Sequence, residues 1–427
     1  MHAIGVRARR RIMRRILPYL FFIYIIAFLD RVNVGYAALE MSKDLGFSAE
    51  VYGFGAGIFF IGYFLLEIPG SLIVEHWSAR KWIARIMVTW GLLAIGMGFI
   101  KTPMQFYVVR FFLGAAEAGF FPGIIVYLSH WFRYADRAKA VALFMAAIPI
   151  SNILGSPLSG VLLGINWLGL RGWSWLFILE GVPAVIFGVV TIFYLTDRPK
   201  QAHWLPDDER DWITAELENE KKAKLQSNPL HILAAFRHRE VLLLTLAYFL
   251  VVTSAYGLTF WLPTLMKNAS GYSNLGVGFI TAIPWSLALL CMVLNGWSSD
   301  RTEERRWHTA VPIIFGALGL LFSAVLAQRP VIAIAMLCVA CAGLNCYLPV
   351  FWTFPTRFLA GSAAAASIGL INSVGNLGGF FGPYITGYIN TTTRSFYGGM
   401  IYLCCSAVAA SLVILTLRQS RKQVEER

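Results

Sequence analysis

Charge is what this 427-residue sequence lacks: Asp, Glu, Lys and Arg together make up 14% of it, against about 25% in an ordinary soluble domain. Its 36 basic and 23 acidic residues cannot cover the surface of a water-soluble protein of this length, so a soluble enzyme is excluded and most of the surface must face lipid. Cysteine is also scarce, with six residues, all in C-terminal apolar stretches. Cys338 and Cys341 are spaced C-x-x-C but sit among Val, Ala, Leu and Met with no His beside them, so they read as small packing residues and not as metal ligands. The seven histidines fall in loops, tails or the ends of apolar stretches, which leaves no nucleophile–base or metal constellation for an integral-membrane enzyme. No nucleotide-binding glycine loop occurs, and no cofactor is implied. Long polar stretches are lacking too: the only one, 197–239, is too short for the soluble signalling domain that a membrane sensor would add.

What is present is apolar sequence in lengths that suit a bilayer. Stretches of about 20 residues, enough to cross as helix, recur twelve times, near 16–38, 51–74, 81–99, 103–128, 138–164, 173–196, 240–266, 275–297, 309–327, 330–354, 362–389 and 396–417. The arginines before the first span resemble a signal-peptide basic region, but no small-residue cleavage site follows, so that span reads as retained. The net charge of +13 suggests nucleic acid or an anionic surface until the basic residues are sorted by segment. With the N-terminus in the cytoplasm, 28 of the 36 fall in cytoplasmic segments, one in each of six outer loops, and two inside spans. That asymmetry is the positive-inside rule for twelve spans with both termini cytoplasmic. Spread over seven segments, it forms no basic face for nucleic acid.

The two basic residues left over are Arg31 and Arg110, and the acids left over are Asp30, Glu67, Glu117 and Glu180. Arg31 lies about 15 residues, roughly 22 Å, into span one from the cytoplasm, and Arg110 about 7 residues, roughly 10 Å, into span four from outside. In a core about 30 Å thick the two reach a similar depth. Glu117, seven residues beyond Arg110, projects from the same helix face. On insertion scales each ionised group at mid-membrane costs about 2.5–3.5 kcal/mol, so Asp30, Arg31, Arg110 and Glu117 cost on the order of 10 kcal/mol unless they pair or face water. One reading is a buried ionic lock between two helices. The other is transport, favoured because apolar packing usually stabilises at least as well as a buried pair. The arginine fork matches a carboxylate, which makes Arg31, with Arg110, the candidate for binding an anionic substrate. Buried acids can take up a proton, which makes Asp30 and Glu117 candidates for proton coupling, protonation of either releasing an arginine for the incoming anion.

The 197–239 segment carries eight basic and eight acidic residues, with a surface helix expected over Asp207–Lys224, and splits the chain into six spans plus six. The halves repeat. Glu75, Arg80 and Lys81 align with Asp300, Arg305 and Arg306 at a constant offset of 225, and Pro157 with Pro383 at 226. The pattern G-x-x-x-D-R-x-x-x-R-R from Gly296 to Arg306, its degenerate copy from Ser71 to Lys81, and the 6+6 layout resemble the major facilitator superfamily. Phe28-Leu-Asp30-Arg31-Val-Asn33, the Arg110–Gly123 stretch, Trp175–Pro183 and Asn372–Pro383 narrow the resemblance to its anion:cation symporter family, in the branch with tartrate-, phthalate- and allantoate-type permeases.

That resemblance implies an all-α membrane protein of twelve transmembrane helices in two pseudo-symmetric six-helix bundles, with a substrate site near the midplane and alternating access. The expected division is a basic tail (1–15), a first bundle (16–196), a linker (197–239), a second bundle (240–417) and a tail (418–427). The expected function is uptake of a small organic carboxylate with protons by a monomer in the cytoplasmic membrane. The resemblance supports the roles given to Asp30, Arg31, Arg110 and Glu117. It adds Tyr63 and Asn372 near substrate and Trp352 as a lid, while Tyr256, Asn345, Asn376 and Asn152 are further polar candidates for the cavity. Glu75, Arg80, Asp300 and Arg301 are expected as cytoplasmic latches, Glu67 as a structural or gating group and Glu180 as a structural one. An exporter on the same fold is the alternative, since Gly155-Ser-Pro157-Leu-Ser-Gly160 resembles an antiporter motif.

Overall fold

The computed structural model describes residues 2–226, 238–355 and 361–417, and among them every regular element is a helix. No water reaches hydrocarbon to satisfy a bare peptide group, so apolar runs of this length must close their hydrogen bonds within themselves. The first part of the chain forms α1 (His2–Asp44), α2 (Ala49–His76), α3 (Ala79–Met97), α4 (Pro103–Glu117), α5 (Phe120–Ser129), α6 (Tyr134–Met145), α7 (Ala147–Leu162), α8 (Gly172–Tyr194) and the polar α9 (Asp207–Gln226). After it come α10 (Arg239–Ser270), α11 (Asn274–Thr302), α12 (Arg306–Val325), α13 (Pro330–Cys346), α14 (Leu348–Phe351), α15 (Gly361–Asn376), α16 (Gly378–Thr393) and α17 (Tyr397–Leu415). Ten of these helices or helix pairs are long and apolar enough to cross a bilayer. The other two expected spans correspond to α3, whose first turns carry Arg80, Lys81 and Arg85, and to α15 with α16.

Several expected single spans are interrupted. Span four ends as α4 at Glu117 because Ala118 leaves the helical region, with ψ 134°, and Gly119 takes φ +85°, a left-handed conformation that glycine adopts without strain. Gly119 also lies so close to Gly70 of α2 that a Cβ on either would stand 3.1 Å from the other's backbone. Single-residue interruptions follow at Ala146, Tyr347 and Leu377. Tyr347 lies 229 residues after Ala118 and Leu377 lies 231 after Ala146, near the offset of the sequence repeat, so corresponding spans of the two halves bend at corresponding places.

The chain divides into two compact units, one of Met1–Glu40 with Ile61–Asn228 and one of Met41–Phe60 with Pro229–Arg427. In the first, α3 and α8 approach at glycine: a Cβ on Gly91 would stand 2.9 Å from the Gly181 carbonyl oxygen, and Gly188 faces Val88 in the same way. Small residues let helix backbones come this close in a membrane, where dispersion and not hydrophobicity drives association. The polar end of this unit is bound by ion pairs. Arg11 meets the buried Glu209 of α9 at 3.1 Å, Arg7 meets Asp208 at 3.1 Å, and Arg133 meets Glu216 at 3.2 Å and Asp136 at 3.1 Å. The expected surface helix is thus α9, held to the N-terminal turns of α1. In the second unit, the segment 41–60 is anchored by Tyr52, whose hydroxyl donates to the Phe260 carbonyl at 2.8 Å and whose ring meets Trp261 edge-on at 4.8 Å. Trp261 in turn donates from Nε1 to the Pro383 carbonyl at 3.1 Å.

The α3–α8 contact leaves no room for a side chain. Gly91→Leu is expected to lower stability by about 1–3 kcal/mol or more through overpacking, whereas Gly96→Leu, where a Cβ meets open space, should change it by about 0.5 kcal/mol or less. Thermal unfolding of the purified variants, followed by tryptophan fluorescence, makes the comparison.

Candidate functional site

The intramembrane charges lie together in the first unit, and their pairing follows from helix geometry. Successive residues on a helix point about 100° apart, so Asp30 and Arg31 of α1 cannot face the same neighbour. Arg31 turns to α4, where its Nη2 pairs with Glu117 Oε1. Its guanidinium carbon also lies 5.3 Å from the Phe28 ring centre and 5.4 Å from that of Tyr63 on α2, within range of cation–π attraction. Arg110, fully buried, is close enough to Glu117 to act on its charge. One carboxylate thus pairs with one guanidinium group and lies within electrostatic range of a second. Glu117 is the last residue of α4, and the break behind it at Ala118–Gly119 sets that carboxylate beside a bend in the helix.

Asp30 faces the other way. Its Oδ2 accepts a hydrogen bond of 2.6 Å from the indole Nε1 of Trp90 on α3, and neither arginine pairs with it. The expectation that protonating Asp30 would free an arginine therefore has no matching contact, because Asp30 and Arg31 diverge by their helical phase. Glu180, on α8, accepts from Ser159 Oγ of α7 at 3.3 Å. The α3–α8 glycine contact explains why these groups are neighbours: Trp90 precedes Gly91 and Glu180 precedes Gly181. Trp90 and Ser159 were missed as partners in the sequence, where a tryptophan and a serine in apolar helices carry no distinguishing signal. Glu67, expected near the cytoplasmic boundary, is buried.

The remaining candidates divide between the units. Tyr63 joins Arg31 in the first. Asn152, also there, donates its amide to the Ile148 carbonyl of its own helix at 3.0 Å. In the second unit, Tyr256 packs against Phe60 at 4.6 Å and Phe260 at 5.8 Å between ring centres, and Trp352 meets Tyr248 edge-on at 5.1 Å. Asn345 donates to the Cys341 carbonyl one turn back at 2.8 Å, so that part of its amide serves its own helix. Asn372 and Asn376 are half-buried near the end of α15. Among the expected latches, Arg80 lies 3.9 Å from Asp197, which also accepts from Ser78 Oγ at 2.7 Å and from the Arg80 backbone N–H at 2.9 Å. Asp300 pairs with Arg305 at 2.6 Å, and the Arg301 guanidinium lies 5.5 Å from the Trp297 ring. The side chain of Glu75 lies outside the described residues.

With this arrangement in view, the comparison with known proteins is decisive. The family model of the major facilitator superfamily matches residues 20–383. The chain belongs to the major facilitator superfamily. A protein of Agrobacterium vitis named for tartrate transport is 48% identical over 415 residues, covering 97% of this chain and 95% of that protein. A quinolone resistance transporter of Acinetobacter baumannii is 40% identical, covering 92% and 91%. The inner membrane transport protein RhmT of Escherichia coli is also 40% identical, covering 95% and 94%. Among solved structures, a bacterial homologue of the human lysosomal transporter Spinster aligns with a TM-score of 0.74 at 17% identity, over 96% of this chain and 95% of that one. The xylose transporter XylE of E. coli aligns with a TM-score of 0.70 at 15% identity, over 92% and 97%. These two likenesses establish the fold. This major facilitator protein is a multi-pass membrane transporter of small organic substrates and not an enzyme.

Removing one member of the Arg31–Glu117 pair leaves a buried charge without its partner. Glu117→Leu is expected to cost about 3–5 kcal/mol, and the double variant Arg31→Met/Glu117→Leu to recover part of that loss. Thermal unfolding of the two single variants, the double variant and wild type gives the coupling energy.

Proposed function

We propose that the protein takes up a small organic carboxylate together with protons, across the cytoplasmic membrane and with both termini in the cytoplasm. The observation that carries this reading is the buried Arg31–Glu117 pair with Arg110 beside it. An arginine held by an internal carboxylate inside an apolar helix cluster is a carboxylate-binding group with an exchangeable partner. Protonation of Glu117 removes the charge that Arg31 pairs with, and a substrate carboxylate restores it. Loading a proton and loading an anion then favour each other. The relative named for tartrate transport, 48% identical over nearly the whole chain, supports a hydroxylated carboxylate as cargo.

Arg31 is the proposed anchor for one substrate carboxylate and Arg110 the second positive group for a dicarboxylate. Tyr63 closes one side of the Arg31 guanidinium. Tyr256, Asn345, Trp352, Asn372 and Asn376 are further proposed substrate-contacting residues. Asp30 shares the proton-carrying role with Glu117, through neighbours other than the arginines.

Efflux is a second reading, because the quinolone resistance transporter is 40% identical. Proteoliposomes of known protein orientation separate the two. An inward proton gradient should drive accumulation of labelled tartrate, and a protonophore should abolish it. Arg31→Lys keeps the charge but loses the planar fork and is expected to reduce uptake about tenfold. Glu117→Gln is expected to exchange tartrate without gradient-driven accumulation. Tartrate uptake indifferent to the gradient would overturn the coupling, and gradient-driven movement of a quinolone but of no carboxylate would favour efflux.

A further inference from the structure

Among the described residues the first unit buries five carboxyls, those of Asp30, Glu67, Glu117, Glu180 and Glu209, and ion pairs with Arg31 and Arg11 account for Glu117 and Glu209. Asp30 and Glu180 each have under 5% of their surface exposed, and no basic side chain pairs with either among the described residues. The groups facing them can be named helix by helix. Asp30 of α1 meets Trp90 from α3, and Glu180 of α8 and Glu117 of α4 act on its charge. Glu180 meets Ser159 from α7 and Asn33 from α1.

Each carboxyl uses one oxygen and leaves the other unsatisfied. Asp30 Oδ1 and Glu180 Oε2 are buried without a hydrogen-bond partner. Asn33, one turn beyond Asp30 on α1 and 1% exposed, approaches Glu180 but closes no hydrogen bond of normal geometry, so its Oδ1 and Nδ2 are likewise unsatisfied. Four open polar atoms in one apolar cluster would cost several kcal/mol if they stayed so. Two ionised carboxylates there, without a cation, would cost more. Chemistry resolves both problems at once. A protonated carboxyl is a donor and an ionised one an acceptor, and an amide between them offers one of each.

We propose that Asp30 and Glu180, bridged by Asn33, hold one shared proton, which makes Glu180 a third proton-carrying residue of this transporter, beside Glu117 and Asp30. The carboxyl that bears the proton donates to Asn33 Oδ1, directly or through a water, and the ionised one accepts from Asn33 Nδ2. When the proton leaves to solvent, one O–H bond breaks and the pair gains one negative charge; reloading reverses both changes. The Trp90 and Ser159 hydrogen bonds keep each carboxyl oriented in either state. The role in transport rests on the proton coupling proposed above, whereas proton sharing within the pair does not.

Infrared difference spectroscopy of the purified full-length protein in lipid, stepped from alkaline to acidic buffer, reads the carboxylic-acid C=O band without any substrate. The contribution of the pair is defined by subtracting the spectrum of Asp30→Asn/Glu180→Gln. In wild type that contribution should rise in two separated steps, and in Asp30→Asn or Glu180→Gln alone in one step at an intermediate pH. Asn33→Leu, which keeps both carboxyls, should narrow the separation by about one pH unit, a tenfold change in proton affinity. It carries the comparison even where Glu180→Gln does not purify as a monodisperse protein. If the single-variant titrations sum to that of wild type with unmoved midpoints, and Asn33→Leu titrates as wild type does, the shared proton is overturned. Tartrate uptake in proteoliposomes is measured in parallel. Proton-independent uptake with a coupled pair would remove the transport role and leave the pair intact. Proton-driven uptake with independent titrations would remove the pair and leave symport intact.

Discussion

A charge in hydrocarbon must be paired, and the first unit is arranged around that constraint. Arg31 and Glu117 neutralise each other between α1 and α4, and Arg110 lies within electrostatic range of the same carboxylate. Mid-membrane charge is costly even after pairing, and the proposed transport role gives the fold a reason beyond stability to keep it. The end of α4 suits that role. The helix stops at Glu117 because Gly119 supplies a left-handed turn, and the same glycine permits the close approach of Gly70. A carboxylate at such a break can shift with small backbone changes, which a residue in the middle of a straight helix cannot do.

Close glycine contacts do for the uncharged partners what the ion pair does for the charged ones. Gly91 against Gly181 brings α3 and α8 near enough for Trp90 to donate to Asp30 and for Glu180 to sit within electrostatic range of it. The two acids of this cluster differ from Glu117 in that no basic side chain pairs with them among the described residues. In the proposed mechanism their chemistry is that of proton binding, and that of Glu117 is competition with an anion for arginine. One small region of the first unit thus holds two kinds of carboxyl, separated by whether α1 presents Asp30 or Arg31.

The ion pairs at the polar end have a different role. Those joining α9 to the N-terminal turns of α1 and to Arg133 all lie at or near water except for the buried Glu209 carboxylate; a single exposed pair contributes little, but together they hold the linker helix against its own unit. The segment 41–60 is placed by hydrogen bonds and aromatic contacts that have no such solvent competition.

Amino-acid order by itself determined the membrane class, the spans, the internal repeat and the inventory of intramembrane charge. Each rests on local length, composition or spacing, and lipid leaves helices little freedom to depart from them. The surface helix over Asp207–Gln226 was legible for the same reason, from charges at helical spacing. The partners of those charges were decided only by tertiary structure. Arg31 with Glu117, Asp30 with Trp90, Glu180 with Ser159, Arg80 with Asp197 and Asp300 with Arg305 depend on which helices adjoin and at what rotation. Residues 86, 60 and 117 positions apart meet through packing that no periodicity encodes. The break after Glu117 was hidden as well, because a glycine inside an apolar run becomes a bend only where a neighbouring helix, here α2 at Gly70, comes close enough to need it.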